Sequence, residues 1–246
     1  MQLEVYQTDA EVYEAVAASA AQVLVAAATA GRATVALPGG RGGRAIMLAL
    51  AGRREIPWQR LGVFFTDECC LPDGDARRTA HVARESVLGP RGVPTARVHA
   101  IEGVDASAAA TAYAEVLARE LGTPPVLDLS LLDLGASGEV AALMPESEAA
   151  RSASTVASVA AAEVAAEPRV ARVTLTAVAL RAARHVIVSA TGGARAEAVS
   201  AALREPVDAI RRPAQAVLPS ATTSWFVDRA AVEPLLRDAR PAAGAQ

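Results

Sequence analysis

The sequence contains no lysine, few aromatic residues and only two cysteines. All 24 basic residues are arginine, so any cationic contact to a ligand must use a guanidinium group, which binds phosphate or carboxylate in a bidentate manner. With aromatic residues at 3% of the chain, the core must be built from aliphatic side chains. The cysteines, Cys69 and Cys70, are adjacent, and neighbouring cysteines rarely bridge each other, so the sequence offers no disulfide framework.

The charge and the apolar runs favour neither nucleic acid nor a membrane as a partner. The net formal charge is -3, without the basic excess that nucleic-acid binding requires. Residues 1–5 lack the basic stretch that precedes the apolar run of a signal peptide. The alanine-rich run at 16–30 is expected to be too short to span a bilayer. We therefore expect a soluble cytoplasmic protein that is a monomer or a homodimer.

Apolar runs alternate with helical patterns and predict an α/β fold. Hydrophobic residues make up 52% of the chain and charged residues 21%, the composition of a globular protein. Strands that alternate with helices imply a mainly parallel sheet with helices on both faces. We expect a single α/β domain over residues 1–240 and a frayed tail over 241–246. Strands are expected at 3–6, 34–37, 61–66, 98–101, 127–134, 170–176, 185–190 and 222–227, helices at 10–30, 44–51, 77–88, 106–121, 176–183 and 194–203, and a flexible connection or weak helix at 149–167.

Two glycine turns, at 38–43 and 135–139, directly follow buried runs. Backbone N–H groups at such turns, together with the dipole of a following helix, attract anions such as phosphate. For the first turn the alternative is a tight strand-to-helix turn without a ligand, and this turn has neither the Lys-Ser/Thr pair of a Walker loop nor the spacing of a dinucleotide site. The candidate ligand-binding residues are Gly39, Gly40, Arg41, Gly42 and Arg44 at the first turn, and Gly135 and Gly138 at the second.

Three carboxylates lie close to these turns in the expected fold. Asp67 and Glu68 follow the strand at 61–66, where a carboxylate can act as a general base, hold a substrate hydroxyl, or simply cap a helix or turn. Glu139 begins an expected helix, a position that favours carboxylates for structural reasons alone. Ligands of parallel sheets bind beyond the carboxyl ends of the strands. We therefore expect both turns and Asp67 to meet at one crevice.

The sequence gives no indication of a metal or cofactor. The three histidines, His81, His99 and His185, lack the spacing of metal ligands. A cysteine nucleophile would need a nearby base, and none is evident beside Cys69 or Cys70.

Several segments, in the same order, carry motifs of one enzyme family. Residues 37–40 are similar to Leu-Ser-Gly-Gly-Ser-Thr-Pro, and residues 58–72 to Trp…Val-x-x-Phe-x-Gly-Asp-Glu-Arg-x-Val-Pro. Residues 127–145 are similar to Phe-Asp-Leu-x-Leu-Leu-Gly-Met-Gly-x-Asp-Gly-His-x-Ala-Ser-Leu-Phe-Pro, and 168–176 and 191–199 to Pro-x-x-Arg-Val-Thr-Leu-Thr and Thr-Gly-x-x-Lys-Ala-Glu-Ala-Val. Over nearly its whole length the chain thus resembles the 6-phosphogluconolactonase family, which is related to the glucosamine-6-phosphate deaminases.

The sequence departs from these motifs at the positions that are expected to carry the chemistry. The histidine that the family is thought to use as general base is Glu139 here, the arginine of Gly-Asp-Glu-Arg is Cys69, and the Ser-Thr of the first turn is Arg41-Gly42. The phosphate-binding arginine and lysine positions are retained as Arg172 and Arg195. The resemblance therefore implies a sugar-phosphate site with altered catalytic residues, in which Glu139, Asp67 and Glu68 are the catalytic candidates.

Three functions remain open from the sequence. The first is hydrolysis of a phosphorylated sugar lactone, without metal or cofactor, with Glu139 activating water. The second is another proton-transfer reaction, such as isomerisation or deamination, on a sugar-like or lactone-like substrate, with Asp67 as the proton-shuttling carboxylate of the deaminases. The third is ligand binding without catalysis.

Overall fold

The main sheet is six-stranded and wholly parallel. The computed structural model describes residues 1–165, 167–204, 206–217 and 222–238. The strands of this sheet follow the spatial order β1-β9-β8-β5-β2-β3, and every pairing in it is parallel. Their bounds are β1 Gln2–Tyr6, β2 Ala33–Leu37, β3 Leu61–Phe65, β5 Leu129–Asp133, β8 His185–Ala190 and β9 Thr223–Asp228.

The burial of the strands shows that both faces of this sheet are covered. Every residue of β2 and β3 is buried, although successive side chains of a strand point to opposite faces. This confirms the expected α/β class, a mainly parallel sheet with helices on both faces. After β2 the chain continues to β3, its neighbour on one side in the sheet. From β5, the neighbour of β2 on the other side, the main sheet continues to β8 in the opposite direction. A topological switch point therefore lies between β2 and β5. Ligands of open α/β sheets bind at such a point, beyond the carboxyl ends of the strands.

A second, antiparallel sheet of three strands was not predicted. It comprises β4 Asp67–Cys69, β6 Val156–Val159 and β7 Arg172–Leu175, in the order β4-β7-β6. The expectation of a flexible or weakly helical connection at 149–167 is therefore wrong, because β6 lies within it. Val156 and Val159 are buried, and pairing with β7 outweighs the low β-propensity of the surrounding alanines.

The six expected helices form, most of them with shifted ends. The last helix of the described residues was not predicted, and the helix expected to begin at Glu139 is not formed. The described residues contain eight α-helices. They are α1 Asp9–Ala28, α2 Gly40–Ala51, α3 Thr79–Ala83, α4 Ala106–Leu121, α5 Glu148–Arg151, α6 Ala177–Ala182, α7 Ala196–Leu203 and α8 Glu233–Asp238. Thr8 caps α1 in a capping box with Glu11. The expected helix at 77–88 starts at Thr79 and continues from α3 as a π-helical turn, Arg84–Leu88.

Helix α1 has 20 residues, and by length and composition alone it could cross a membrane. The expectation of a segment too short to span a bilayer considered only the run at 16–30, whereas the helix begins at Asp9. In the fold, α1 contacts α2, β2, β8 and β9, and its inward stripe, which includes Val12, Val16 and Leu24, is fully buried. A helix that packs this stripe against a sheet is a core helix of the α/β layer structure.

One further expectation was wrong, and another is not tested. The expected strand at 98–101 is reduced to a single bridge between Val98 and Val63, next to a short 3-10 turn at Thr95–Arg97. The tail at 241–246 lies outside the described residues.

Candidate active site

A cavity of about 660 Å³ opens at the carboxyl ends of β2 and β5. It lies at the switch point, so the place that the topology favours for a ligand is hollow. Its polar lining comes from both glycine turns, from the start of β4 and β7, and from the turn that precedes α7. The charged lining residues are Arg41, Asp67, Asp133, Glu139, Glu167, Arg172 and Arg195, and the lining glycines are Gly39, Gly40 and Gly135.

Asp67 and Arg172 form a buried pair on one side of the cavity. Nη1 of Arg172 lies 3.2 Å from Oδ2 of Asp67. The other carboxylate oxygen accepts hydrogen bonds from the hydroxyl of Thr66 at 3.2 Å and, more weakly, from the N–H of Gly39 at 3.4 Å. Asp67 lies opposite Thr174 and Arg172 lies opposite Cys69 in the antiparallel pairing of β4 with β7, so the two side chains meet along a diagonal of the second sheet.

Asp133 and Arg195 form a second pair, of which the sequence analysis identified only the arginine. Nη2 of Arg195 lies 3.6 Å from Oδ2 of Asp133, while Oδ1 accepts a hydrogen bond from the hydroxyl of Ser189 at 2.7 Å. Burial raises the pKa of Asp133 to about 6, against the opposing effects of the Ser189 hydrogen bond and Arg195. The motif comparison could have identified Asp133 as a candidate, because it stands where the quoted family motif has glycine.

Glu139 folds back over the second glycine turn and enters the cavity half-buried. Its Oε2 accepts hydrogen bonds from both the N–H and the hydroxyl of Ser137. A Cβ at Gly135 would come within 1.8 Å of Oε1, so only glycine leaves room for this carboxylate. The amides of Gly135 and Gly138 bond within the turn itself, which leaves neither for an anion.

The first glycine turn is the beginning of α2 rather than a loop before it. The expected helix at 44–51 starts four residues earlier, with Gly39 as N-cap and Gly40 at φ +76°, a left-handed conformation that favours glycine. The amides of the first helical turn have no acceptor within the helix. Those of Gly40 and Arg41 are therefore the better candidates for anion contacts.

Glu68 does not line the cavity, which corrects its place among the catalytic candidates. Its carboxylate is buried and accepts hydrogen bonds from the N–H groups of Cys69, Thr79 and Ala80 at 2.7–2.9 Å, with Arg78 at 3.7 Å. Burial raises the pKa of Glu68, and these partners oppose the shift. Glu68 thus caps α3, as the alternative interpretation had it.

Other predicted binding residues also lie off the cavity lining. Arg44 is on the exposed side of α2, and Gly138 is a turn glycine at φ +88°. Gly42 lines an adjoining cavity of about 570 Å³. Cys69 is buried outside both cavities, and burial raises its pKa to about 11, which disfavours a thiolate at neutral pH. Among the described residues, no three His, Cys, Asp or Glu side chains are grouped as metal ligands would be.

Comparisons with known proteins find one family over most of the chain. The sequence model of the glucosamine-6-phosphate isomerases/6-phosphogluconolactonase family matches residues 7–225. The chain is 36% identical to the 6-phosphogluconolactonase of Streptomyces coelicolor, over 99% of this chain and 98% of that protein. It is 32% identical to that of Mycobacterium tuberculosis, over 85% of this chain and 88% of the other.

Solved structures show the same fold. The 6-phosphogluconolactonase of Trypanosoma brucei superposes with a TM-score of 0.83 at 24% identity, over 95% of this chain and 98% of that one. A monomeric glucosamine-6-phosphate deaminase superposes with a TM-score of 0.79 at 18% identity, over 95% and 99%. At these identities the likeness concerns the fold alone.

Proposed function

Because this chain belongs to the glucosamine-6-phosphate isomerase/6-phosphogluconolactonase family, we propose that it hydrolyses a phosphorylated sugar lactone of the 6-phosphogluconolactone type. The observation that carries the proposal is the cavity at the switch point, where the start of α2, three guanidinium groups and Glu139 face one space. The full-length identity to enzymes named 6-phosphogluconolactonase supports the same substrate.

Binding of the phosphate is assigned to the arginines and to the start of α2. Arg41 is exposed and forms no salt bridge with any residue that the structure describes, so its guanidinium is available to an anion. Arg172 and Arg195 already hold carboxylates, and each keeps further N–H donors because a guanidinium has five. The amides of Gly40 and Arg41 add the partial positive charge of the helix N-terminus.

Hydrolysis then requires a base beside the lactone carbonyl, and we assign this role to Glu139. Its carboxylate accepts a proton from water as the water oxygen bonds to the carbonyl carbon and negative charge moves to the carbonyl oxygen. When the C=O bond re-forms, the ring C–O bond breaks, and the ring oxygen takes the proton from Glu139 and leaves as a hydroxyl. Carboxylates are weaker bases than imidazole, so the electrostatic stabilisation of the oxyanion must contribute strongly.

Asp67 is assigned a positioning role beside this reaction. Because its carboxylate bonds both Arg172 and the N–H of Gly39, it links the arginine to the start of α2. A substrate hydroxyl that enters next to Oδ1 can add a further hydrogen bond there. The soluble cytoplasmic location expected from the sequence belongs to the same proposal.

The test is a coupled assay in which 6-phosphogluconolactone is supplied and 6-phosphogluconate formation is measured above the rate without enzyme. We expect turnover by the wild type and a large loss in Glu139→Gln, which keeps the shape of the side chain but cannot accept the proton. Glu115→Gln is the matched control, because Glu115 is exposed on α4 and outside this cavity. Turnover unchanged in Glu139→Gln would remove Glu139 from the mechanism.

The two alternatives are tested in the same experiment. Glucosamine 6-phosphate as substrate, with ammonia as the product measured, tests the deaminase reaction, for which the deaminase superposition supplies only the fold. Binding of 6-phosphogluconate without lactone turnover would instead point to a protein that binds the ligand without catalysis.

A further inference from the structure

We propose that Asp133 sets the affinity of the cavity for the anionic group of the substrate by competing with that group for Arg195. The identification of the group as a sugar phosphate depends on the proposed function, but the competition itself concerns any anion at this position. Asp133 is thus a specificity-determining residue of the cavity rather than a base.

The hydrogen bonds of Arg195 leave Nη2 as the guanidinium nitrogen without a hydrogen-bond partner among the described residues. Nε donates to the carbonyl of Leu134 at 2.7 Å and Nη1 to the carbonyl of Thr191 at 2.8 Å. These two bonds fix the plane of the guanidinium. The remaining nitrogen, Nη2, faces Oδ2 of Asp133 at 3.6 Å, so an anion that binds the free edge of Arg195 meets the Asp133 carboxylate there.

The Asp133 carboxylate is held where it is and has little room to withdraw. The hydroxyl of Ser189 donates to Oδ1 at 2.7 Å. On the side of α2, a Cβ at Gly42 would lie 2.1 Å from Oδ2 and 2.4 Å from Oδ1. The helix backbone therefore packs directly against the carboxylate, and only a glycine at position 42 permits this.

The net negative charge of the cavity lining opposes the binding of an anion. Four carboxylates, on Asp67, Asp133, Glu139 and Glu167, face three guanidiniums, so the described lining has a net charge of -1 when all are ionised. A phosphate dianion entering this space is opposed by Asp133 more than by Asp67, whose Oδ2 is bonded to Arg172 at the shorter distance of 3.2 Å. Protonation of Asp133 brings the lining to neutrality and frees Nη2.

The surroundings of Asp133 favour its protonation at mildly acidic pH. Burial raises its pKa to about 6, Glu139 adds to the rise, and Ser189, Arg195 and Arg41 oppose it. By linkage, an anion that binds Arg195 must favour the protonated form of Asp133, and protonation must favour the anion. Anion affinity is therefore expected to rise as the pH falls through this range.

Sulfate is the probe that isolates the effect, because it does not titrate near neutral pH. Its binding is measured by calorimetry at about pH 7.5 and about pH 5 for the wild type, Asp133→Asn and the control Glu115→Gln. We expect Asp133→Asn to bind sulfate about tenfold more tightly than the wild type at the higher pH, a ratio equivalent to about 1.4 kcal/mol. The difference should shrink at the lower pH, and the control should match the wild type at both.

Two further measurements keep the outcome decisive. In the wild type, sulfate binding near pH 6 should take up protons, which is detected by comparing binding heats in two buffers of different ionisation enthalpy; this needs no variant. Asp133→Gly, which also removes the contact with Gly42, repeats the comparison should Asp133→Asn fold poorly. Equal or weaker sulfate binding in the variants, no proton uptake, or no sulfate binding by any of the proteins would overturn the proposal.

The lactone assay separates this inference from the proposed function. With 6-phosphogluconolactone, Asp133→Asn should lower KM at neutral pH without raising kcat in proportion, because the residue acts on binding. A wild type that turns over no lactone would refute the proposed function, whereas the sulfate comparison would still decide the role of Asp133.

Discussion

Two aspartate–arginine pairs flank the cavity, and they are built differently. In the first, Asp67 and Arg172 lie 3.2 Å apart, and Asp67 is also bonded by Thr66 and Gly39. In the second, Asp133 and Arg195 lie 3.6 Å apart, and Arg195 is held mainly by the two carbonyls at Leu134 and Thr191.

The difference separates a pair that supports the structure from one that adjusts to a ligand. Arg172 is among the buried charged residues, and its salt bridge joins β7 to the start of β4, so it stabilises the fold. Arg195 would keep its position through the carbonyls even if Asp133 were neutral. A guanidinium fixed independently of its carboxylate can exchange that carboxylate for a substrate anion at low cost in reorganisation.

The largest effect is expected at Glu139, which, unlike the other lining carboxylates, has no arginine partner in the described part of the chain. Glu139→Gln should lower kcat on 6-phosphogluconolactone about a thousandfold, the usual size of a general-base contribution. The free energy of unfolding of this variant should change little, because the Glu139 carboxylate bonds only Ser137 among the described residues. Steady-state kinetics and urea unfolding of the same preparation check both statements.

Loss of each arginine should distinguish the two pairs by stability. Arg172→Ala leaves the buried Asp67 carboxylate without its cation and should cost about 3 kcal/mol of unfolding free energy. Arg195→Ala should cost about 1 kcal/mol, since Asp133 can take up a proton instead. Equal losses in urea unfolding would mean that the pairs do not differ as described.

The pH dependence of stability should sharpen the comparison. Burial raises the pKa of Asp133 from 3.8 in a free side chain to about 6, so the folded state holds this proton more tightly than the unfolded chain. Asp133 therefore destabilises the fold above about pH 6, and the penalty disappears as the pH falls toward about 4. The difference in unfolding free energy between the wild type and Asp133→Asn should change by about 2 kcal/mol across this window, and a constant difference would contradict it.

The smallest effect is expected from the two glycines that abut the pairs. A Cβ at Gly42 would lie 2.1 Å from Asp133, whereas one at Gly39 would lie 3.4 Å from the Asp67 oxygens and 2.7 Å from the hydroxyl of Thr79. Gly42→Ala should destabilise by about 1 kcal/mol net, because overpacking exceeds the gain in helix propensity. Asp133→Gly should relieve this cost in a double-mutant cycle, and the absence of coupling would argue against the close packing.

The sequence predicted the parallel sheet and the meeting of the two turns. Hydrophobic runs that alternate with helical patterns predict the parallel strands, and the glycines mark the turns at their carboxyl ends. It could not separate Asp67 from Glu68. These neighbours belong to one short strand, where successive side chains point in opposite directions, and only the pairing of β4 with β7 decides which of them faces the cavity. Glu68 caps α3 for that reason.

Asp133 was missed for a different physical reason. It ends β5 after four buried residues, and nothing local reveals that Ser189, Arg195 and Gly42 surround it from three other segments. Long-range packing of this kind determines both its position and its pKa. Likewise, β6 lies in an alanine-rich stretch whose strand character depends on its partner β7.

The most direct test of the account is a crystal structure with 6-phosphogluconate bound. The account predicts the phosphate within hydrogen-bond distance of Arg195 and the start of α2, with the carboxyl carbon of the ligand beside Glu139. A ligand bound outside this cavity, or one whose carboxyl group lies away from Glu139, would contradict it.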